Sequence, residues 1–197
     1  MNSRNEKNQS NILLSGGAKG GDMLWDKVAE ILSHDRIHFS YQGANYKSAK
    51  EHTYILTNEE LSVSDSFLDE ANLTLQRKFP TGSYHVNSLL RRNYYQIRDS
   101  QRLYAVAKVN QSTCSGGTAW AVQMFIDKHE THSCECYVFC TEKLEWFKWD
   151  GYIFSPTPTP PSPHGIWTGI GSRDLEPNVR EIILNQAKEW QCNNTEN

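Results

Sequence analysis

The sequence contains no apolar run approaching the roughly 18 to 20 residues that a bilayer span requires. Its start, MNSRNEKNQS, lacks the hydrophobic stretch of a secretory signal. Both absences predict a soluble, cytoplasmic chain with no membrane partner. Cysteine is scarce and odd in number, five in all with three between 134 and 140, which is not the dense even framework of a small secreted domain, so reduced thiols are expected. An excess of one charge is also missing. The formal net charge is -3 and the isoelectric point about 6.2, so no global positive field gathers nucleic acid, and no basic stripe suits a single strand. Any anion this chain binds must be held by a local site.

What is present suits one α/β domain. The 197 residues leave room for a single core. An apolar fraction of 38% and a mean hydropathy of -0.66 are polar for a globular chain, but six Trp, nine Tyr and seven Phe argue for a folded one. Residues 1–10 and 191–197 are polar and read as frayed ends, leaving 11–190 as the domain. Residues 155–164 form a proline-rich connector, with five of the seven prolines between Ser155 and Pro163.

Short apolar runs alternate with helix-period segments, which predicts a Rossmann-like domain with a mainly parallel sheet flanked by helices. The expected strands are residues 12–14, 37–41, 103–109, 137–140 and 166–169. The expected helices start near Asp22, within 57–79 (where Thr57 and Glu60 suit a capping box), and over 85–99, 118–128 and 177–190.

Three strand ends could meet a phosphate. Ser15, Gly16, Gly17, Ala18, Lys19, Gly20, Gly21 and Asp22 put four glycines in eight residues at a strand-to-helix junction. There small residues let backbone N–H groups approach an anion and the helix adds its positive end. The same glycines equally suit a tight turn. Ser115, Gly116, Gly117 and Thr118 repeat the arrangement, and so do Gly169, Gly171, Ser172, Arg173 and Asp174. In the third, Arg173 offers a bidentate fork to a phosphate or a surface partner to Glu176. None of the three is a Walker loop or a GxGxxG turn, and no cofactor is implied. In a parallel sheet all three lie at the carboxyl ends of strands, where open α/β sheets bind ligands.

The glycine turns, together with Arg92 and Asn93, resemble the SLOG superfamily of Rossmann-like nucleotide-binding domains. It includes DNA-processing protein A, the cytokinin-activating phosphoribohydrolases and sensors of ADP-ribose-derived signals in antiphage defence. The resemblance covers most of 11–140 and 166–190. It implies a ligand site made of Ser15, Gly16, Gly17, Ala18, Lys19, Asp22, Arg92, Asn93, Ser115, Gly116, Gly117, Thr118, Gly169, Gly171, Ser172 and Arg173. In a typical member the segment like 168–174 opens the domain. Here it comes last, which looks like a circular permutation closed by the proline-rich stretch. Members frequently pair through the helices flanking the sheet, so a homodimer through 118–128 and 179–190 is expected. The phosphoribohydrolase pattern Gly-Gly-x-Gly-Thr-x-Glu-Glu is not kept: with Gly116 and Gly117 on its first glycines, Ala119 replaces the third, and Val122 and Gln123 replace the carboxylates.

The leading expectation is therefore a binding module that senses or sequesters a phosphorylated nucleotide or nucleotide-derived signal, with an ADP-ribose-type ligand favoured and an anti-defence role compatible. The alternative is an N-glycosidase acting on nucleoside 5′-monophosphates, with Asp22 or Asp174 as its carboxylate. Two other groupings invite attention. His129, His132, Cys134, Cys136 and Cys140 do not have the spacing of a familiar zinc module. Period-two alternation instead puts Cys136, Val138 and Cys140 on one buried strand face, and no metal is expected. Trp146, Phe147, Trp149, Tyr152 and Phe154 read as a satellite core at the sheet edge or as a stacking platform. Helical spacing alone does not decide whether Arg91 or Arg92 turns inward.

Overall fold

The computed structural model describes residues 10–129 and 134–195. The described chain contains ten strands and six α-helices. Eight strands form one sheet, in the order β3 (Thr53–Leu56), β2 (Asp35–Tyr41), β1 (Ile12–Ser15), β10 (Ile166–Gly171), β4 (Arg102–Ala107), β7 (Glu135–Cys140), β8 (Glu145–Trp149), β9 (Phe154–Thr157). The first six are mutually parallel, and β8 and β9 continue antiparallel. All five expected strands lie in the parallel part, with β10 directly beside β1.

The sheet is covered on both faces because its strands alternate. In β4, Leu103, Ala105 and Ala107 face one layer, while Tyr104 and Val106 face the other. The first layer holds α3 (Asp65–Leu75), α4 (Tyr84–Ile97) and α5 (Thr118–Lys128); the second holds α1 (Gly21–Ile31) and α6 (Pro177–Thr195). In β7, Cys136, Val138 and Cys140 share the α5 layer as small buried hydrophobes. His129 Nδ1 lies 2.7 Å from the Phe125 carbonyl oxygen, and His132 falls outside the described residues. Trp25, Tyr104 and Trp167 fill the other layer with their rings 5.8–6.1 Å apart.

Several boundaries differ from expectation for identifiable reasons. The segment 57–79 is two helices, α2 (Asn58–Val63) and α3, divided at Ser64, whose hydroxyl donates to the Leu61 carbonyl instead of continuing one helix. The capping box at Thr57 and Glu60 is present. Strand 103–109 stops at Ala107, and the chain then makes the small hairpin β5 (Val109–Asn110) and β6 (Thr113–Cys114). The proline-rich stretch begins as the edge strand β9, where Pro156 needs no outer ladder bond. It then runs beneath the sheet, taking hydrogen bonds from Trp190 Nε1 and the Tyr104 hydroxyl on the Pro160 and Pro161 carbonyls. Helix α6 continues through Thr195, beyond the 191 boundary expected for a frayed tail.

The faces that suggested a homodimer are used within the chain. Residues 118–125 of α5 are all buried, and Val179, Ile183, Ala187 and Trp190 of α6 pack on the sheet. Among the described residues no helix is long and apolar enough to cross a membrane.

Candidate functional site

From β1 the chain leaves through α1 on one face, and from β4 it leaves through α5 on the other. Divergence of this kind opens a crevice beyond the carboxyl ends of the central strands. Here the crevice is a cleft of two lobes. One, of about 440 Å³, is lined by the first glycine turn, the turn after β6, the turn after β10 and α4; the other, of about 260 Å³, lies over the end of β2. Ala18, Lys19, Leu89, Arg92 and Arg173 line both.

The glycines of the three turns divide into two kinds. Gly20, Gly21 and Gly171 serve packing: a Cβ on Gly21 would lie 2.3 Å from the Gly171 Cα, and one on Gly20 would lie 2.2 Å from the Arg173 carbonyl oxygen. The Gly21 N–H donates to the Ser172 carbonyl at 2.9 Å, so the first and third turns are joined backbone to backbone. Gly169 is not in a turn but inside β10, where a Cβ would meet the Trp25 side chain at 2.4 Å. Gly116 and Gly117 are the other kind. Nothing lies within 4 Å of a Cβ built on either, and both line the larger lobe. Their carbonyls are held from behind by Arg77 Nη1 at 2.7 Å and Asn93 Nδ2 at 3.3 Å. The start of α5, with its first-turn N–H groups, thus borders open space.

Arg92 turns inward and Arg91 outward, where it pairs with Asp65. Arg92 is only 6% exposed. Its Nη1 donates to Asp22 Oδ2 at 3.0 Å, and the same oxygen accepts the Ala18 N–H at 3.2 Å. Gly16 makes room for this pair, since a Cβ there would sit 0.9 Å from Arg92 Nη1. Asp22 therefore does not cap α1, whose N-cap is Gly20 without a side-chain bond. It is held as the counter-charge of a buried guanidinium.

Lys19 and Arg173 are exposed at the mouth, and among the described residues neither forms an ion pair; the alternative Arg173–Glu176 pair does not form. With Arg92 and Lys47, four cations line the cleft against two acids, Asp22 and Asp174. That balance is positive in a chain whose net charge is -3.

Of the other expected site residues, Ala18, Lys19, Asn93, Thr118, Gly171, Ser172 and Arg173 line the cleft, as Gly16 does in the smaller lobe. Ser15, Gly17, Ser115 and Gly169 do not line it. Ser15 is buried and its hydroxyl donates to the Gly169 carbonyl, tying β1 to β10. Gly17, at φ +61°, is covered by Ser48. The edge aromatics are remote from the cleft: Trp146, Phe147 and Phe154 are buried in the sheet layers, and Tyr152 is 77% exposed.

Val122 and Gln123 lie in the buried stretch of α5, with Gln123 Nε2 donating to Asp127. Neither lines the cleft.

Sequence reasoning missed the wall of the smaller lobe, made by Tyr41, Ala44, Asn45, Tyr46 and His85. The loop after β2 folds back on the first glycine turn, with an Ala18–Tyr46 bridge and the Lys47 N–H donating to the Gly17 carbonyl at 2.6 Å. Below it the Tyr41 hydroxyl lies 2.7 Å from His85 Nδ1. Burial pushes the Tyr41 pKa up to about 12, against the pull of Arg92 and Arg173, so the hydroxyl stays protonated. Set against protein-family models, curated proteins and solved structures, the chain matches none of them.

Proposed function

We propose that this cleft binds a phosphorylated, nucleotide-type small molecule, which the protein senses or sequesters, with an ADP-ribose-type ligand favoured. The observation that carries the reading is the exposed Arg173, in no ion pair among the described residues, in a cleft that also holds Lys19, the open Gly116–Gly117 turn and the fixed Arg92. Guanidinium and ammonium groups without internal partners, next to a helix start, are suited to an anion. The larger lobe, at about 440 Å³, falls in the range of small-molecule sites.

The reading includes membership of the SLOG-like group in circularly permuted form and action in the cytoplasm. The permutation is supported by the parallel pairing of β10 with β1 and by Gln191 at the end of α6, whose Nε2 donates to the Ile31 carbonyl of α1. Of the two carboxylates an N-glycosidase would use, Asp22 is committed to Arg92, which leaves that reading to the exposed Asp174 of the larger lobe.

A thermal-shift panel of ADP-ribose, AMP and inorganic pyrophosphate tests the reading. A ligand that binds only the folded state raises the midpoint, by an amount equivalent to about 2.7 kcal/mol at a hundredfold excess over Kd. No shift and no saturable binding by any of the three would contradict the reading.

A further inference from the structure

The two lobes differ in chemistry, and the cations they share lie between them. Lys19, Arg92 and Arg173 line both lobes. Beyond this junction the larger lobe offers the open α5 start and the carboxylate of Asp174. The smaller lobe has no carboxylate in its lining and carries the site's aromatic rings.

Tyr46 is the distinctive group there. Its backbone is fixed by the bridge to Ala18 and by the adjacent Lys47–Gly17 hydrogen bond. Yet among the described residues its ring touches no other ring and its hydroxyl has no hydrogen-bond partner. Nearby Phe39, Tyr41 and Tyr54 all have ring neighbours within 6.3 Å. A half-buried tyrosine on a pinned backbone, facing a cavity with no partner, is a preformed stacking surface that costs little entropy to use.

We infer that the cleft selects a ligand whose phosphate is central: the phosphate lies at the Arg173–Lys19–Arg92 junction, a planar heterocycle stacks on Tyr46 in the smaller lobe, and a hydroxyl-bearing sugar occupies the larger lobe against Asp174. A ligand with a terminal phosphate would fill one lobe and leave the other to water. The inference rests on the nucleotide-type reading above and adds which part of the ligand goes where. In the same lobe the Tyr41 hydroxyl and His85 Nδ1 lie 2.7 Å apart, a hydrogen-bonded pair that gives the edge of the heterocycle polar groups to meet.

Calorimetric titration of the full chain with ADP-ribose, AMP and pyrophosphate, repeated on Tyr46→Ala, Tyr46→Phe and Asp174→Asn, tests it. ADP-ribose is expected to bind at least about tenfold more tightly than AMP. Loss of a base–aromatic stack weakens binding by about fivefold or more, so Tyr46→Ala should lose at least that for ADP-ribose while pyrophosphate binding is unchanged. Tyr46→Phe should keep the affinity, and Asp174→Asn should weaken ADP-ribose but not pyrophosphate. Equal binding of AMP and ADP-ribose, or a Tyr46→Ala variant that binds ADP-ribose like the parent, overturns the placement even where Arg173-dependent pyrophosphate binding upholds the anion site. Failure of all three compounds to bind the parent protein overturns both.

Discussion

Arg92 Nη1 donates to Asp22 Oδ2 at 3.0 Å across the floor of the cleft, with both side chains less than a tenth exposed. The pair joins α4 to the first turn of α1 and decides what Asp22 can do. A carboxylate that neutralises a buried guanidinium is a structural counter-charge. Removing one member of such a pair strands the other, at a typical cost of about 3 to 5 kcal/mol. Asp22→Asn is therefore expected to lower stability by about 3 kcal/mol in urea denaturation, although the amide fills the same space. A change below about 0.5 kcal/mol would mean that solvent, not Asp22, balances Arg92.

The glycines give a paired prediction. Gly21→Ala places a methyl 2.3 Å from the Gly171 Cα, where backbone must move; overpacking of this sort costs about 1 to 3 kcal/mol. Gly117 sits at φ -67° and ψ -24° with open space around its missing side chain. Gly117→Ala should thus keep or slightly raise stability, by about 0.4 to 1 kcal/mol, while reducing affinity for pyrophosphate because the methyl projects into the cleft. Thermal melts and titrations of the two variants check the contrast.

Five of the six parallel strands were legible because each is a short apolar run, and β4 and β7 alternate in a way that suits two covered faces. The edge strands were not. β3 leaves Tyr54 and Ile55 exposed, and the aromatics of β8 read as a cluster. The glycine turns were visible as small residues at strand ends, but a glycine that admits a ligand and one that admits Trp25 look the same in sequence. Arg92 meets Asp22 over a separation of 70 residues, and Tyr46 reaches the cleft only because its loop folds back on Gly17. Neither leaves a local pattern. The dimer expectation failed to gain support for a related reason: an apolar helix face does not say whether its cover lies within the chain or outside it.

His34 should make the protein acid-sensitive. Its Nδ1 accepts from Trp167 Nε1 at 3.1 Å, and burial pulls its pKa down to about 4. The unfolded chain binds a proton below about pH 6.5 that the folded chain refuses until about pH 4. This contribution is fully present above pH 6.5 and is lost as pH falls through that window, by about 2 to 3 kcal/mol in all. Urea midpoints at pH 7, 5 and 4 should fall steeply for the parent and more gently for His34→Gln, which keeps an acceptor for Trp167 without titrating. Parallel losses in the two proteins would place the acid sensitivity elsewhere.

The most direct test of the central claim is a calorimetric titration of ADP-ribose into the parent protein and into Arg173→Ala. Arg173 is exposed and makes no ion pair among the described residues, so its removal should leave the melting midpoint unchanged. A charge-assisted hydrogen bond is worth about 1.5 to 3 kcal/mol, and its loss should weaken binding by about 10- to 150-fold. Arg173→Lys should recover only part of that affinity, since it keeps the charge without the fork. Saturable binding that collapses in Arg173→Ala at unchanged stability is the predicted result. Undiminished affinity in that variant, or no binding to the parent protein, would contradict the account.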